Sequence, residues 1–319
     1  MKVSILMITY NHEKFIAQAI DSVLEQKANF DYEIVIGEDC SADNTRYIVE
    51  EYAGKHPNRI KPVFNKKNLG PAINFDRTLH ACKGQYIALL EGDDYWTSPH
   101  KLQKQVDFLD KHPECSMCFH DSEMLIGGRV KKYPTPSLSR QGFGTLKDVL
   151  ERFVAASSSL MFRGGLYDKP PEWYYKTAIG TIWGLYILHA SYGKIGYIKE
   201  TMSIYRVHKK GVWSGLSPIA KCLEIIKFYK VLRGNMGSES DDIIDKNLSL
   251  ILAEYYGRNA RSLKAFKQLF MYCLLVWHRT NIGRFVYVFL IILTAAPAVL
   301  LPQSAKKKYL KKLSENLFV

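Results

Sequence analysis

Two adjacent carboxylates, Asp93 and Asp94, follow the apolar run at 86–90 and are the residues of this sequence best suited to hold a metal ion. Adjacent carboxylates repel one another unless a cation lies between them, and hard oxygen ligands select Mg²⁺ or Mn²⁺. Such ions keep several waters and bridge to the phosphates of a substrate. An isolated acidic pair is also typical of a solvated turn. Whether this pair binds a metal ion therefore depends on which other polar residues lie near it in the fold.

Polar residues also follow the first two apolar runs of the chain. Thr9, Tyr10 and Asn11 come after the first run, and Asp39 comes after the second. Tyr10 offers an aromatic face on which a base can stack, and Asp39 offers an acceptor for an imide or amino N–H. The sequence has no glycine-rich dinucleotide motif after the first run and no P-loop lysine motif, which disfavours those two kinds of nucleotide site.

The hydrophobic pattern predicts that short strands alternate with amphipathic helices through the first third of the chain. The predicted strands cover 3–8, 32–37, 60–64 and 86–90, and the predicted helices cover 13–26, 41–52, 71–82 and 99–111. Because this alternation is typical of βαβ units, we expect an α/β fold with a mostly parallel, Rossmann-like sheet. Such sheets bind ligands beyond the carboxyl ends of their strands, so the three polar clusters should converge on one cleft.

Four motifs resemble, in order, those of the family 2 glycosyltransferases: VSILMITYN, EIVIGEDCSADNT, NLGPAINF and GQYIALLEGDDYW. Further along, GKIGYIKETMSIYRVHKKGVWSG at 193–215 is similar to the end of the catalytic domain in bacterial members that build surface polysaccharide. The resemblance implies the A-type glycosyltransferase fold and an enzyme of the hexosyltransferase type. It also implies metal-assisted, inverting transfer of a sugar from a nucleoside-diphosphate donor, usually a UDP-sugar, to a glycan or lipid-linked hydroxyl.

The same resemblance implies roles for individual residues. The nucleotide pocket would be lined by Thr9, Tyr10, Asn11, Asp39 and Asp93, with Asp39 reading the base. Asp93 and Asp94 would bind the ribose and a divalent ion, Mg²⁺ or Mn²⁺, on the diphosphate. His208 would come near the metal or the diphosphate. The ion would offset the charge that grows on the departing diphosphate.

One residue that the resemblance leads us to expect is missing. Similar proteins carry an aspartate, the general base, in a Gly-Asp-aromatic context where this chain has Gly180, Thr181, Ile182 and Trp183. A threonine hydroxyl cannot serve as a base at neutral pH. Glu172, just before an aromatic cluster, is the fallback hypothesis for the base, and a surface loop position is the alternative for this residue. The missing aspartate also leaves open a second function, that of a non-catalytic relative that binds sugar nucleotides or glycans.

Charge is distributed unevenly along the 319 residues, whose formal net charge is +13. Residues 206–319 hold 19 basic and 7 acidic residues, so nearly all of the surplus lies there. After about residue 216 the pattern predicts helices alone. We therefore expect a catalytic domain over 1–215 and a basic, helical C-terminal region over 216–319. No helix-turn-helix, zinc-finger or RNP-type pattern accompanies the charge, which argues against nucleic acid as a partner.

The C-terminal region contains an uncharged segment at 285–301 with basic residues on both sides. Its 17 residues are at the lower limit for crossing a hydrocarbon core of about 30 Å. Three alternatives remain open for it: a buried docking helix, a shallow membrane-associated helix and a true span. Scattered cysteines and a short first apolar run favour a cytoplasmic protein. Because anionic headgroups attract polybasic flanks, we expect peripheral contact with the inner face of the cell membrane.

Overall fold

The computed structural model describes residues 1–134, 143–151, 155–167, 169–176, 180–209 and 211–259. The strands in this part of the chain are β1 (Val3–Thr9), β2 (Tyr32–Glu38), β3 (Ile60–Phe64), β4 (Tyr86–Leu89), β5 (Tyr95–Trp96), β6 (Cys115–Ile126), β7 (Arg129–Lys132), β8 (Phe143–Gly144), β9 (Met161–Arg163) and β10 (Lys194–Val207). The helices are α1 (Ile16–Leu24), α2 (Thr45–Lys55), α3 (Pro71–Ala81), α4 (Lys101–Lys111), α5 (Leu146–Glu151), α6 (Gly180–Ala190), α7 (Pro218–Leu232) and α8 (Ser238–Asn259). Short 3₁₀ helices lie at Ser157–Ser159 and Glu172–Lys176.

The strands form one sheet in the order β3-β2-β1-β4-β9-β6-β10-β5, with β7 beside β6 and β8 beside β10. β1 pairs in parallel with β2 and β4, β2 pairs in parallel with β3, and β6 pairs in parallel with β10. The short strands β5, β7, β8 and β9 pair antiparallel to their neighbours. The expected α/β class with a mostly parallel sheet is confirmed, and the four predicted strands match β1–β4 to within one residue.

β1 and β2 are buried on both faces, which explains why their sequences are almost continuously apolar. α1 joins the core of these strands through Ile16, Ala19, Ile20 and Val23. α3 packs on β1 and β2 and comes very close to Gly37. A Cβ at Gly37 would lie 1.9 Å from Thr78 Oγ1, so only glycine fits where this helix crosses the sheet.

The first two helices begin later than the sequence predicts, α1 at Ile16 and α2 at Thr45. The loops before them bond to each other instead of extending the helices. The His12 N–H donates to Thr45 Oγ1 at 2.8 Å, and Ser41, the first residue of the predicted second helix, accepts from the Asn11 N–H at 2.9 Å. The backbone N–H groups that follow β1 therefore bond to the loop that follows β2, and they do not extend α1 by a further turn.

Contacts within the chain divide it into two compact units, Met1–Gly215 and Leu216–Val319. In the second unit the Ser217 side chain caps α7 by accepting from the Ala220 N–H at 3.2 Å. α7 and α8 pack against each other. Arg233, the residue that follows α7, forms an ion pair with Asp245 of α8 at 2.8 Å. These two helices agree with the expectation of helices alone after about residue 216.

None of the helices that the structure describes, through residue 259, combines the length and the apolar character needed to cross a bilayer. The uncharged segment at 285–301, for which three alternatives were left open, lies outside the described residues.

A lysine is buried at the start of α4, the helix that packs on β6. Lys101 is fully enclosed, and its Nζ lies 3.8 Å from the centre of the Trp96 ring with no hydrogen-bond partner among the described residues. Gln105, one turn along the helix, donates to the Ser159 carbonyl at 2.9 Å. Burial lowers the pKa of Lys101 well below its ordinary value of 10.5, because the charged ammonium loses its hydration.

We expect Lys101→Met to raise the melting temperature, because it removes a buried polar group that costs about 1–3 kcal/mol when unpaired. The unfolded chain binds a proton at Lys101 more readily than the folded chain does. The native protein therefore loses stability as the pH falls from 10.5 towards the lowered pKa. Thermal unfolding should show a larger advantage of the variant at pH 7 than at pH 10.

Lys104→Met is the matched control for this prediction, because Lys104 lies on the same helix, is partly exposed and pairs with Glu200 at 2.5 Å. The control should change the melting temperature little at either pH. A lower melting temperature for Lys101→Met than for the native protein would contradict the argument.

Candidate active site

The loops that follow β1 and β2 are bonded together beyond the carboxyl ends of those strands. The Asn11 N–H donates to Ser41 Oγ at 2.9 Å, and the Asn11 side chain accepts from the Ala42 N–H at 2.9 Å. Asn11 has a φ of 56°, a left-handed conformation that asparagine tolerates better than most residues. Thr9 is buried, whereas Tyr10 is 43% exposed. Asn11 therefore shapes this wall of the site, and the Tyr10 ring remains accessible to a ligand.

Asp39, at the end of β2, holds the loop that follows β3. Its Oδ1 accepts from Asn65 Nδ2 at 2.8 Å and from the Leu69 N–H at 2.9 Å, and its Oδ2 accepts from the Gly70 N–H at 2.9 Å. The residue is only 2% exposed. Most of the acceptor capacity of this carboxylate is thus used inside the protein, to fix the segment that leads into α3.

Asp93 meets two imidazoles beyond the end of β4. Its Oδ2 lies 2.9 Å from His208 Nε2 and 3.7 Å from His12 Nε2. Burial acts to raise the pKa of Asp93, but the hydrogen bond with His208 and the charges of the two histidines lower it overall. Burial lowers the pKa of His12. The structure therefore brings Asp93 and His208 together and adds His12, which the sequence analysis missed although it directly follows Asn11.

Asp94, the second carboxylate of the predicted metal pair, lies inside the protein. It is fully buried, and its Oδ1 accepts from the Arg206 N–H at 2.8 Å. Burial, together with the charges of Asp93 and Glu91, raises the pKa of Asp94 well above its ordinary value. The two adjacent carboxylates thus have different environments, and the Asp94 side chain fastens β10 to the loop after β4.

Glu91 is a third acid of the same loop, to which the sequence analysis assigned no role. Its Oε2 accepts from Ser157 Oγ at 2.6 Å. Burial, followed by the charge of Asp93, raises the pKa of Glu91 to about 7. The sequence did contain a signal that Glu91 belongs to this acidic loop. Glu91 lies only two residues before Asp93, and Gly92, the smallest residue, is the one between them.

Arg206 provides the positive charge beneath this acidic loop. Its Nη1 donates to the Asp93 carbonyl and its Nη2 donates to Gln18 Oε1. The guanidinium also lies 5.1 Å from the Phe15 ring centre and 4.5 Å from that of Tyr95. Held between two rings and bonded to the backbone of the acidic loop, Arg206 fixes the position of Asp93 and offsets part of the local negative charge.

Glu172, the fallback hypothesis for the general base, lies on the surface. Its side chain is 95% exposed, and its ion pair is with Lys176, at 3.9 Å on the same 3₁₀ helix. The neighbouring Trp173 and Tyr174 are buried instead. No hydrogen bond or ion pair of the described residues joins Glu172 to the loops that hold Asp39 and Asp93. The surface alternative for Glu172 is therefore the one that this geometry favours.

The stretch from residue 4 to residue 167, just over half of the chain, matches the sequence profile of the family described as Glycosyl transferase family 2. The chain belongs to this family. The matched stretch contains β1 to β4, the loop held by Asp39 and all three acids of the loop after β4. The resemblance seen in the sequence motifs is therefore confirmed for the family, and the fold of the site is that of a glycosyltransferase.

Two relatives illustrate the range of the similarity. An uncharacterized protein of Mycobacterium tuberculosis (strain ATCC 25618 / H37Rv) is 38% identical over 211 residues, which cover 66% of this chain and 60% of the relative. This family 2 chain thus spans about 60% of the length of that relative. The Escherichia coli UDP-Glc:alpha-D-GlcNAc-diphosphoundecaprenol beta-1,3-glucosyltransferase WfgD is 33% identical over 169 residues, 50% of this chain and 64% of WfgD.

Solved structures share the fold at low sequence identity. Residues 1–349 of Staphylococcus aureus TarS superpose with a TM-score of 0.58 at 18% identity, covering 93% of this chain and 82% of that one. The mannosyltransferase PcManGT of Pyrobaculum calidifontis, in complex with GDP-Man and Mn²⁺, gives a TM-score of 0.55 at 15% identity, covering 94% and 87%. These likenesses confirm the expected A-type glycosyltransferase fold of this family 2 member.

The donor set for a divalent ion is small but of a suitable kind. Among the residues that the structure describes, no group of three or more histidines, cysteines and acids is gathered as a metal cage. One carboxylate oxygen of Asp93 and Nε2 of His208 do meet, and both side chains are partly exposed. Mg²⁺ and Mn²⁺ bind to one or two carboxylates and take waters and substrate phosphates for the rest of their ligands. Asp93 and His208 therefore fit such an ion.

We expect Asp39→Asn to loosen the loop between β3 and α3, because an amide nitrogen would face a backbone N–H in place of an acceptor oxygen. Leaving such a group unpaired costs about 1–3 kcal/mol. Limited trypsin digestion should then cut faster at Lys66 and Lys67, which are exposed in this loop. Replacing both lysines by glutamine in the Asp39→Asn background is the control and should abolish the new cut. Unchanged digestion would show that Asp39 does not hold the loop.

We expect Arg206→Met to destabilise the protein by about 1–3 kcal/mol, because it removes the hydrogen bonds of the guanidinium to the Asp93 carbonyl and to Gln18 together with the positive charge near the acidic loop. Arg206→Lys keeps the charge between the two rings but cannot bond Asp93 and Gln18 together, so its loss should be smaller. Gln18→Ala is the control, since it removes one hydrogen bond and no charge. Denaturant unfolding measures the three variants, and equal losses for all of them would contradict a role of the charge.

Proposed function

We propose that the protein transfers a sugar, as a hexosyltransferase, from a nucleoside-diphosphate donor to the hydroxyl of a glycan or lipid-linked acceptor. The observation that carries this proposal is the meeting of Asp93 with His208 and His12 at the carboxyl ends of the strands, in a family 2 domain. The names of two relatives support it. WfgD is named for UDP-Glc and a diphosphoundecaprenol acceptor, and TarS has been solved with UDP-GlcNAc. A UDP-sugar is therefore the donor that we propose.

We propose that the nucleotide lies against the loops after β1 and β2. The accessible Tyr10 ring would stack on the base. Thr9 and Asn11 would set the shape of the wall, because the first is buried and the second is bonded to the neighbouring loop. Asp39 would act mainly by positioning the loop after β3, with one acceptor position left for an N–H of the base.

We propose that Asp93 and His208 hold a divalent ion, Mg²⁺ or Mn²⁺, with the diphosphate of the donor. When bound, the ion offsets the negative charge that develops on the leaving diphosphate. Arg206 keeps Asp93 in place through the Asp93 carbonyl, and His12 Nε2 lies 3.7 Å from the same carboxylate oxygen that His208 bonds. Asp94, expected from the sequence to be a ligand, would instead support β10 from inside the protein.

Inverting transfer needs a group that takes the proton of the acceptor hydroxyl. α6 begins at Gly180 and continues with Thr181 and Ile182, so its first turn offers no carboxylate. Glu172 is exposed on the surface. These two observations favour a second candidate function, a family 2 relative that binds a sugar nucleotide or a glycan without transferring sugar. The experiment below separates the two functions.

We also propose that Met1–Gly215 is the catalytic domain and that the basic residues after it keep the protein at the inner face of the cell membrane. The charge distribution supports this, since 16 basic and 7 acidic residues lie at 216–319. Polybasic segments bind anionic headgroups by electrostatic attraction. We do not propose nucleic acid as a partner.

The proposed function is tested by thermal shift with UDP-Glc, UDP-GlcNAc and GDP-Man, each with and without Mn²⁺. A donor present at about a hundred times its Kd should raise the melting temperature by roughly 5 °C or more. Asp93→Asn should abolish the part of the shift that depends on Mn²⁺. Asp107→Asn, at an exposed position on α4, is the control and should leave the shift unchanged. Absence of any shift would contradict the transferase and any relative that binds these sugar nucleotides.

Release of UDP with and without a lipid-linked glycan acceptor then distinguishes transfer from binding alone. Release that rises when the acceptor is added supports the transferase, and donor binding without such release supports the non-catalytic relative. Glu172→Gln should leave acceptor-dependent release unchanged, because the Glu172 side chain lies in solvent. A large loss of release in that variant would restore Glu172 as the base.

A further inference from the structure

The end of β6 and the whole of β7 form a hairpin within the sheet, with β10 on the other side of β6. Residues 123–126 pair antiparallel with Arg129–Lys132 around the turn Gly127-Gly128, where both glycines have positive φ angles of 55° and 80°. All four residues of β7 are exposed. Because successive side chains of a strand point to opposite faces, solvent reaches both faces of this hairpin.

The exposed hairpin combines positive charge with aliphatic side chains. Arg129, Lys131 and Lys132 are its cations, and none of them forms an ion pair with an acid in the part of the chain that the structure describes. Glu123 stands opposite Lys132 in the register and is the one acid of the hairpin, which leaves residues 123–132 with a positive surplus. Val130, between two cations, is 53% exposed, and Ile126 opposite Arg129 is exposed as well. We call Ile126 and Arg129–Lys132 the hairpin surface.

The hairpin surface lies at the same edge of the sheet as the acidic site. Ile126 pairs with Val207, the residue before His208, so the hairpin turn is one strand spacing, about 4.8 Å, from the strand that carries His208. Two further exposed residues follow His208, the cation Lys209 and the aliphatic Val212, which is 64% exposed. Their turn is fixed by a hydrogen bond from the Gly211 N–H to the His208 carbonyl at 3.2 Å. Cationic and aliphatic side chains therefore flank the site on two adjacent segments.

We propose that the hairpin surface docks on an anionic lipid bilayer. Lysine and arginine side chains place their charges among lipid phosphates while their methylene stems lie against apolar groups. Exposed aliphatic side chains beside them gain by entering the boundary between headgroups and acyl chains. A nucleic acid backbone would bind the cations, but it would offer no apolar surface to the exposed side chains of Ile126 and Val130. The mixture of cations with aliphatic residues on both faces is what favours a bilayer.

Docking in this way places the acidic site at the level of the headgroups. If the proposed function is right, a lipid-linked acceptor would then reach His208 and Asp93 without leaving the membrane. This consequence rests on the proposed function, whereas the binding of lipid by the hairpin surface does not. The surface also differs from the basic C-terminal region, because it belongs to the unit Met1–Gly215.

The test uses the full chain and sedimentation with phosphatidylcholine vesicles, with and without phosphatidylglycerol. A triple variant, R129Q with K131Q and K132Q, removes the three cations of the hairpin surface. The control triple, K27Q with K111Q and K199Q, removes the same charge from exposed positions elsewhere in the catalytic unit. We expect the hairpin triple to bind phosphatidylglycerol vesicles about a hundredfold more weakly, and the control triple to change binding by less than about twofold. Val130→Asp should weaken binding as well, because it places a carboxylate at the apolar contact.

Equal losses in the two triple variants would show a general charge effect and overturn the proposal. Unchanged binding in the hairpin triple would overturn it too, since the membrane contact would then come from the C-terminal region. A loss of binding to a DNA duplex in place of vesicles would assign the surface to nucleic acid and reject the bilayer. The thermal shift with UDP-sugars should be the same in all variants, so that a failure of lipid binding is distinguishable from a failure of the proposed function.

Discussion

Three carboxylates within four residues, Glu91, Asp93 and Asp94, must be held together beyond the end of β4, and their mutual repulsion constrains everything around them. Each is neutralised or bonded in a different way. A serine hydroxyl donates to the first, an imidazole bonds the second, and a backbone N–H of β10 donates to the third. The three acids therefore do not act as one metal cage. One faces two histidines in the site, and the others are fixed by the protein itself.

Arg206 and the two histidines connect the halves of the sheet at this point. His12 comes from the loop after β1, whereas Arg206 and His208 come from the end of β10 and the residues after it. Arg206 also reaches α1, through Gln18 and the face of Phe15. α1 and the acidic loop are thus joined by one guanidinium, and a displacement of β10 would be felt at both.

The sequence was sufficient to predict the fold around the loops after β1 and β2 and insufficient to predict the arrangement of the three acids. β1 to β4 follow from apolar runs and their spacing, and the polar clusters follow from where those runs end. β10 decides which of the two adjacent carboxylates faces the site. The deciding contact is between Asp94 and Arg206, which are 112 positions apart in the sequence. No local pattern contains that information. The exposure of Glu172 was likewise set by its buried aromatic neighbours, whose packing partners lie on α6.

β10 is also the last of the described strands to be synthesised. Contacts between distant parts of a chain form late, because the entropy of closing the loop between them must first be overcome. On the ribosome, β1 to β4 and the loop held by Asp39 can assemble while Asp93 and Asp94 still lack Arg206 and His208, to which they bond. The end of β10 and the residue after it then supply both partners at once. The loops after β1 and β2 and the acidic loop therefore reach their final arrangement at different moments of folding, and a nascent chain that ends before β10 has the first without the second.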